Sequence, residues 1–462
     1  MPFSTDSRAE SKPQGWSDLS QVISTASVEH KPSMSLRANF SATFVGNAVF
    51  AASQWAILIL IAKLGNNVML GQYALALAIV TPVMQFSHLN LQAVLATDIT
   101  ETHPFGDYLA VRLGTIVLGL AIVCGVTLVS RCTWPVPAAV LFLGVALSVD
   151  NLSSIFFGLL QRRERMDLIA WSMIARGLIS VGALGVTLWL TNSLLAAVGA
   201  LAVVRTTVLL VYDRPIASVG KPLRTSGLRA QVEVFCTSLP LGIVLMLVAL
   251  AFNFPRYAIE QKLGTAALGS FAAVASFMTA GSTIVNALGQ SALPRLARYF
   301  TARDLRRFRR LTCQLAGLTC LLGAAGVVAA CLFGRPLLGI LYRPAYEAYA
   351  RLLAWIMVAG LLNYVSSILG YVITSARVFI AQMPVLATAA GSSAVVSWTL
   401  IPRMGLDGAA VTLGTMALVT IIGQLVILRR VSSKLDSCSL QRKSSDLADD
   451  LAPVPSQRVW KT

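Results

Sequence analysis

Three arginines and one aspartate stand inside apolar stretches of this chain: Arg112, Arg176, Arg205 and Asp150. A guanidinium stays charged wherever it is placed, so within hydrocarbon it needs an anion or water beside it. Two kinds of anion compete for it. One is a protein carboxylate, and Asp150 is the candidate. The other is a phosphate on a cargo, which the planar fork of arginine holds with two parallel charge-assisted bonds. Asp150 is equally a candidate for coupling to an ion.

Uncharged polar residues recur beside these charges. Gln85, His88, Asn90 and Gln92 share one apolar stretch, and Thr283, Asn286 and Gln290 share another. An offset of about two hundred residues lays Gln92 on Gln290, His88 on Asn286 and Gln85 on Thr283. Such residues line a lumen or bond across helices. Asn47 and Gln54 are seven apart, so on a helix they share a face. His88 is either a neutral lumen residue or a group that takes up protons near neutral pH.

Those side chains need spans to hold them. The chain has 462 residues, 56% hydrophobic and 12% charged, with a mean hydropathy of +0.72. Soluble domains carry roughly 25% charged residues. A helix crosses the roughly 30 Å hydrocarbon core with about 20 apolar residues, and an open sheet cannot cross it. The apolar runs predict about twelve spans, near 40–62, 72–97, 109–130, 136–158, 168–190, 193–212, 232–254, 266–290, 311–333, 350–373, 380–400 and 407–429. The fold class is therefore an all-α integral membrane protein.

The chain also repeats itself. Lys63-Leu64-Gly65 precedes Leu70-Gly71-Gln72-Tyr73-Ala74, and Lys262-Leu263-Gly264 precedes Leu268-Gly269-Ser270-Phe271-Ala272. Equal orientation of the halves requires an even number of spans in each, so six and six. The expected organisation is a disordered N-terminal tail over 1–35, an N-lobe over 36–213 and a basic linker over 214–231. A C-lobe over 232–430 and a disordered C-terminal tail over 431–462 complete it.

The net charge of +17 sits in loops, which argues against nucleic-acid binding. One set of loops holds Arg162, Arg163 and Arg165, a group from Arg214 to Arg229, a dense run from Arg295 to Arg310, and Arg377. The alternate set holds Lys63, Arg131, Arg256, Lys262, Arg335, Arg343, Arg351 and Arg403. The first set is the larger, which predicts a cytoplasmic side and both termini within. The Arg303–Arg310 stretch is expected to meet anionic lipid headgroups.

Seven cysteines occur without a CxxC or a Cys/His ligand pattern, and no cofactor or metal is implied. No P-loop, HExxH or GxSxG pattern is present, so no catalytic residues are assigned.

Certain motifs resemble those of a known family. These are Leu70 to Ala76 with Pro82, Leu91 to Asp98, Phe105 to Leu109, and Ile401-Pro402-Arg403-Met404-Gly405-Leu406-Asp407-Gly408-Ala409-Ala410. They are similar to Wzx-like polysaccharide flippases of the multidrug/oligosaccharidyl-lipid/polysaccharide superfamily. The resemblance implies two six-helix lobes in a V. It implies movement of undecaprenyl-diphosphate-linked oligosaccharides across the cytoplasmic membrane by ion-driven alternating access. A polymerase and a chain-length regulator are implied as partners. The alternatives are a cation-coupled drug exporter, which would use Asp150, and a membrane-embedded sugar-transfer enzyme.

Overall fold

The computed structural model describes residues 36–98, 102–129, 134–218, 224–376 and 381–450. The regular structure of these residues is helical throughout. Twelve segments are long and apolar enough to cross a membrane. In chain order the α-helices are α1 (Leu36–Leu64), α2 (Asn67–His88), α3 (Leu91–Thr97), α4 (Phe105–Val129), α5 (Val136–Arg162), α6 (Met166–Thr191), α7 (Leu194–Val208) and α8 (Arg214–Ser218). The second half holds α9 (Leu228–Leu263), α10 (Thr265–Thr301), α11 (Leu305–Leu341), α12 (Ala350–Ser375), α13 (Gln382–Met404) and α14 (Leu406–Asp450).

Local chemistry sets the ends. Asn66 caps α2, its side chain accepting from the Met69 amide at 2.8 Å, because the first amides of a helix have no partner within it. Gly405 turns the chain between α13 and α14 at φ 62°, a conformation that suits glycine. Three residues on, a Cβ at Gly408 would sit 2.8 Å from the Leu400 carbonyl. Both glycines of the Ile401–Ala410 motif therefore serve a tight helix–helix corner.

Five spans depart from a single helix of expected length, the eighth and ninth by running on to Thr301 and over Leu305–Leu341. The second is broken, since Leu89 and Asn90 lie at φ 46° and 50° between α2 and α3. The sixth contains a π-turn over Leu209–Asp213. The seventh, expected to stop at 254, runs on through Pro255 to Leu263. Beyond the last span, the α14 backbone stays helical to Asp450, where a tail is expected from 431. The expected N-terminal tail lies outside the described residues. The linker is anchored at its end, where the Asp107 carboxylate accepts from the Ser226 amide at 3.0 and 3.2 Å.

The duplication is plain in the packing. Within the N-lobe α1 packs on α6, α2 on α5, α4 on α5, and α7 on both α5 and α6. Within the C-lobe α9 packs on α13, α10 on α12, α11 on α12, and α14 on both α12 and α13. Each pair of the first half thus recurs in the second. Between lobes, α2 meets α9 and α10, α1 meets α10, and α4 meets α9. Large apolar side chains such as Leu128, Val129, Trp171 and Trp189 face outward, as residues bathed in hydrocarbon must.

Candidate functional site

Charge is gathered in the middle of the N-lobe. Arg176 on α6 donates to Asp150 on α5 at 2.9 Å and to Asp213 in the π-turn at 2.5 Å. Arg205 on α7 pairs with the other oxygen of Asp150. Gln54 accepts from Arg205 at 3.3 Å. Ser153 and Ser172 supply further hydrogen bonds, at 2.7 Å to Arg176 and 2.5 Å to Asp213. Two cations and two anions thus neutralise one another. Both arginines are 3% exposed, and the ring of Phe157 lies 5.6 Å from the Arg176 guanidinium carbon. Of the two anions competing for these arginines, the protein carboxylate is the one in place.

Asp213 is the member that sequence reading missed. It stands at the end of an apolar run and looks like the first loop residue. The extra residue of the π-turn carries it back into the lobe, where it is 1% exposed.

Arg112 has a different role. It is fully buried and donates to the carbonyls of Ser87 at 3.1 Å and His88 at 2.7 Å, and to the Ser154 hydroxyl at 3.4 Å. Those carbonyls belong to the last turn of α2, whose acceptors the break at Leu89 leaves without helical donors. A cation there also meets the negative end of the helix dipole. His88 ends α2 immediately before the break, and it lines neither cavity described below. Its buried Nδ1 has no hydrogen-bond partner among the described residues.

Two cavities share a wall where the lobes meet. The first, about 570 Å3, is a cleft between α1 and α10, lined by Phe44, Asn47, Gln161, Thr283, Asn286 and Gln290 among others. The second, about 670 Å3, extends into the C-lobe and is lined by Gln85, Asn253, Arg256, Asn286, Asn363 and Gln424 among others. Asn286 borders both. Of the predicted lumen residues, Asn47, Asn286 and Gln290 thus line the cleft and Gln85 the second cavity. Gln92 bonds Gln161 at 3.4 Å, behind the cleft wall. Gln54 belongs to the N-lobe charge cluster.

Arg256 is the second residue that sequence reading missed, having been assigned to a loop. The seventh span is expected to stop at 254, but its helix carries Pro255 within it, as membrane helices tolerate. Arg256 donates to the Asn253 amide oxygen at 2.7 Å, and its buried Nε has no partner. Among the described residues no carboxylate pairs with it.

The lobes are tied together at one end. Arg343 donates to the carbonyls of Lys63 and Gly65 at 2.6 and 2.7 Å. Asn67 bonds Ser270 at 3.3 Å, Trp55 bonds Ser276 at 2.9 Å, and the Tyr257 hydroxyl donates to the Ala78 carbonyl at 2.5 Å. The cleft lies toward the opposite end, beside the loops rich in arginine. A two-lobed bundle shut at one end and open at the other can admit a polar group from one side at a time.

Comparison with known proteins agrees with this architecture. Residues 36–300 match the family described as "Polysaccharide biosynthesis protein". The chain is 24% identical over 400 residues to capsular polysaccharide biosynthesis protein CapF of Staphylococcus aureus, covering 85% of this chain and 99% of that one. The fold is similar to that of the eukaryotic MATE transporter AtDTX14, with a TM-score of 0.59 at 16% identity, covering 84% of this chain and 93% of the other. It is also similar to an inward-facing multidrug resistance MATE transporter of the MOP superfamily, with a TM-score of 0.57 at 12% identity, covering 87% and 96%.

Proposed function

The chain belongs to the polysaccharide biosynthesis protein family, and from that premise we propose that it flips undecaprenyl-diphosphate-linked oligosaccharide units across the cytoplasmic membrane. The units serve exopolysaccharide, capsule or O-antigen assembly. The lobes rock about their shut end, driven by an ion gradient. The open end, with Arg162 to Arg165 and the basic run of α11, faces the cytoplasm by the positive-inside rule.

The observation that carries this reading is the pair of adjoining cavities at the lobe junction, with Asn286 between them. A sugar headgroup cannot cross hydrocarbon without exchanging its water for other hydrogen-bonding partners. Asn286, Gln290, Asn363 and Gln424 supply such partners. The lipid tail has the opposite need. The cleft between α1 and α10, with apolar Phe44 and Ile284 in its lining, lets the tail stay in the bilayer while the head enters. An exporter of cations would want a free acid in its lumen. Asp150 instead carries two arginines.

The test is depletion of the protein in its native cell. Lipid-linked oligosaccharide should accumulate on the cytoplasmic leaflet, and surface polysaccharide should fall. Normal surface polysaccharide with new sensitivity to cationic dyes would overturn the reading in favour of a drug exporter. Loss of the oligosaccharide itself would point to a sugar-transfer enzyme.

A further inference from the structure

We infer that Arg256 forms an anion site at the shut end of the lumen, and that its occupant is a carboxylate on the glycan of the cargo. This rests on the flippase reading above. The interior arginines divide into two kinds. Arg176 and Arg205 are neutralised by Asp150 and Asp213, and Arg112 is spent on the end of α2. Among the described residues Arg256 hydrogen-bonds only the neutral Asn253 amide, and it lines the cavity. Glu260, one turn further along α9, accepts from the Thr265 hydroxyl at 2.7 Å instead. The lumen therefore holds a guanidinium with unused donors in a setting of low dielectric, where an oxyanion is its natural partner.

Depth decides which oxyanion. The cavity lining on α10 runs from Phe271 to Asn286, about 22 Å of helix at 1.5 Å per residue. Arg256 and Phe271 lie at similar distances from the α9–α10 turn at Gly264, so Arg256 belongs to the shut end. The cleft through which a lipid tail would leave belongs to the Asn286 end. A diphosphate bonded to that tail stays near the cleft, and the sugars are what extend toward Arg256. On the way, Asn363, Ser367 and Gln424 can bond sugar hydroxyls.

The test is equilibrium binding to the purified full-length protein in detergent. The probes are hyaluronan tetrasaccharide, which bears uronates, the neutral chitotetraose, and inorganic pyrophosphate. The wild-type protein should prefer the uronate glycan to the neutral one by about tenfold, equivalent to 1.4 kcal/mol. Arg256→Gln should abolish the preference, and Arg256→Lys should keep part of it. The thermal midpoint of Arg256→Gln without ligand should be unchanged or raised, because no buried partner charge is left behind. Equal binding of the two glycans, or a preference that survives Arg256→Gln, would overturn the site. Arg256-dependent binding of pyrophosphate without binding of the uronate glycan would overturn the glycan assignment and place the diphosphate there. Binding and transport fail separately. A protein that restores surface polysaccharide but shows no charge preference sinks this site alone, and one that shows the preference but moves no lipid-linked sugar sinks the flippase reading alone.

Discussion

Gly71 and Gly269 sit at equivalent places in the two halves, and each packs on the other half's backbone. A Cβ on Gly71 would lie 1.9 Å from the Thr265 carbonyl oxygen, and one on Gly269 would lie 2.0 Å from that of Asn67. The contact is reciprocal, as an axis relating two parallel repeats requires. Small residues let membrane helices approach this closely. The crossing is both the seam of the duplication and the place where the lumen is shut.

Gly71→Leu should therefore force the shut end apart. The expected cost to this conformation is about 1–3 kcal/mol, as for overpacked interiors. The readout is the distance between spin labels placed across this end, which should lengthen, while a leucine at the exposed Gly125, where a Cβ meets nothing within 4 Å, should leave it unchanged. An unaltered distance in Gly71→Leu would show that the crossing is not a gate.

Breaking the N-lobe charge cluster should cost stability. Arg176→Met leaves Asp213 buried without its cation, and such single removals cost about 3–5 kcal/mol. The double change Arg176→Met with Asp213→Leu should recover much of the loss. Thermal unfolding in detergent checks both. A stable single variant would mean that the buried ion pairs contribute little.

Arg112→Met should loosen the end of α2, since hydrogen bonds from a charged donor contribute roughly 1.5–3 kcal/mol. Faster hydrogen exchange confined to residues near Ser87 to Leu91, with α9 and α10 unchanged, is the expected pattern. Uniform exchange across the protein would contradict a capping role.

Asn286→Cys, in a background freed of native cysteines, should react with a membrane-impermeant maleimide from the side bearing the Arg162–Arg165 loop. Right-side-out and inverted vesicles distinguish the sides. Labelling from the opposite side alone would reverse the assignment of the open end.

Much of the architecture was legible along the chain. Twelve apolar runs became twelve spans, because the bilayer sets the length of every helix that crosses it. The repeated Lys-Leu-Gly signature located two equivalent helix–helix turns of the duplication. The motif at Ile401–Ala410 marked a corner where Gly405 takes a positive φ and Gly408 packs against the Leu400 carbonyl. Span ends were less legible. The seventh span is expected to stop at 254 although α9 continues to Leu263, and nothing local announced the left-handed pair Leu89–Asn90 that ends α2. Of the paired polar positions, Gln85, Thr283, Asn286 and Gln290 border the cavities, whereas His88 and Gln92 do not.

Hydropathy, span length and the internal repeat are properties of contiguous residues, so the sequence alone determined a duplicated helical membrane bundle. It also determined that arginines and an aspartate lie within it. Which charges meet was decided only by the tertiary structure. Charge compensation acts across a few ångströms between helices distant in the chain, as when Asp213 reaches Arg176 through a π-turn. Among the described residues the same packing leaves Arg256 without a carboxylate, and that asymmetry between the lobes is written in no local stretch of residues.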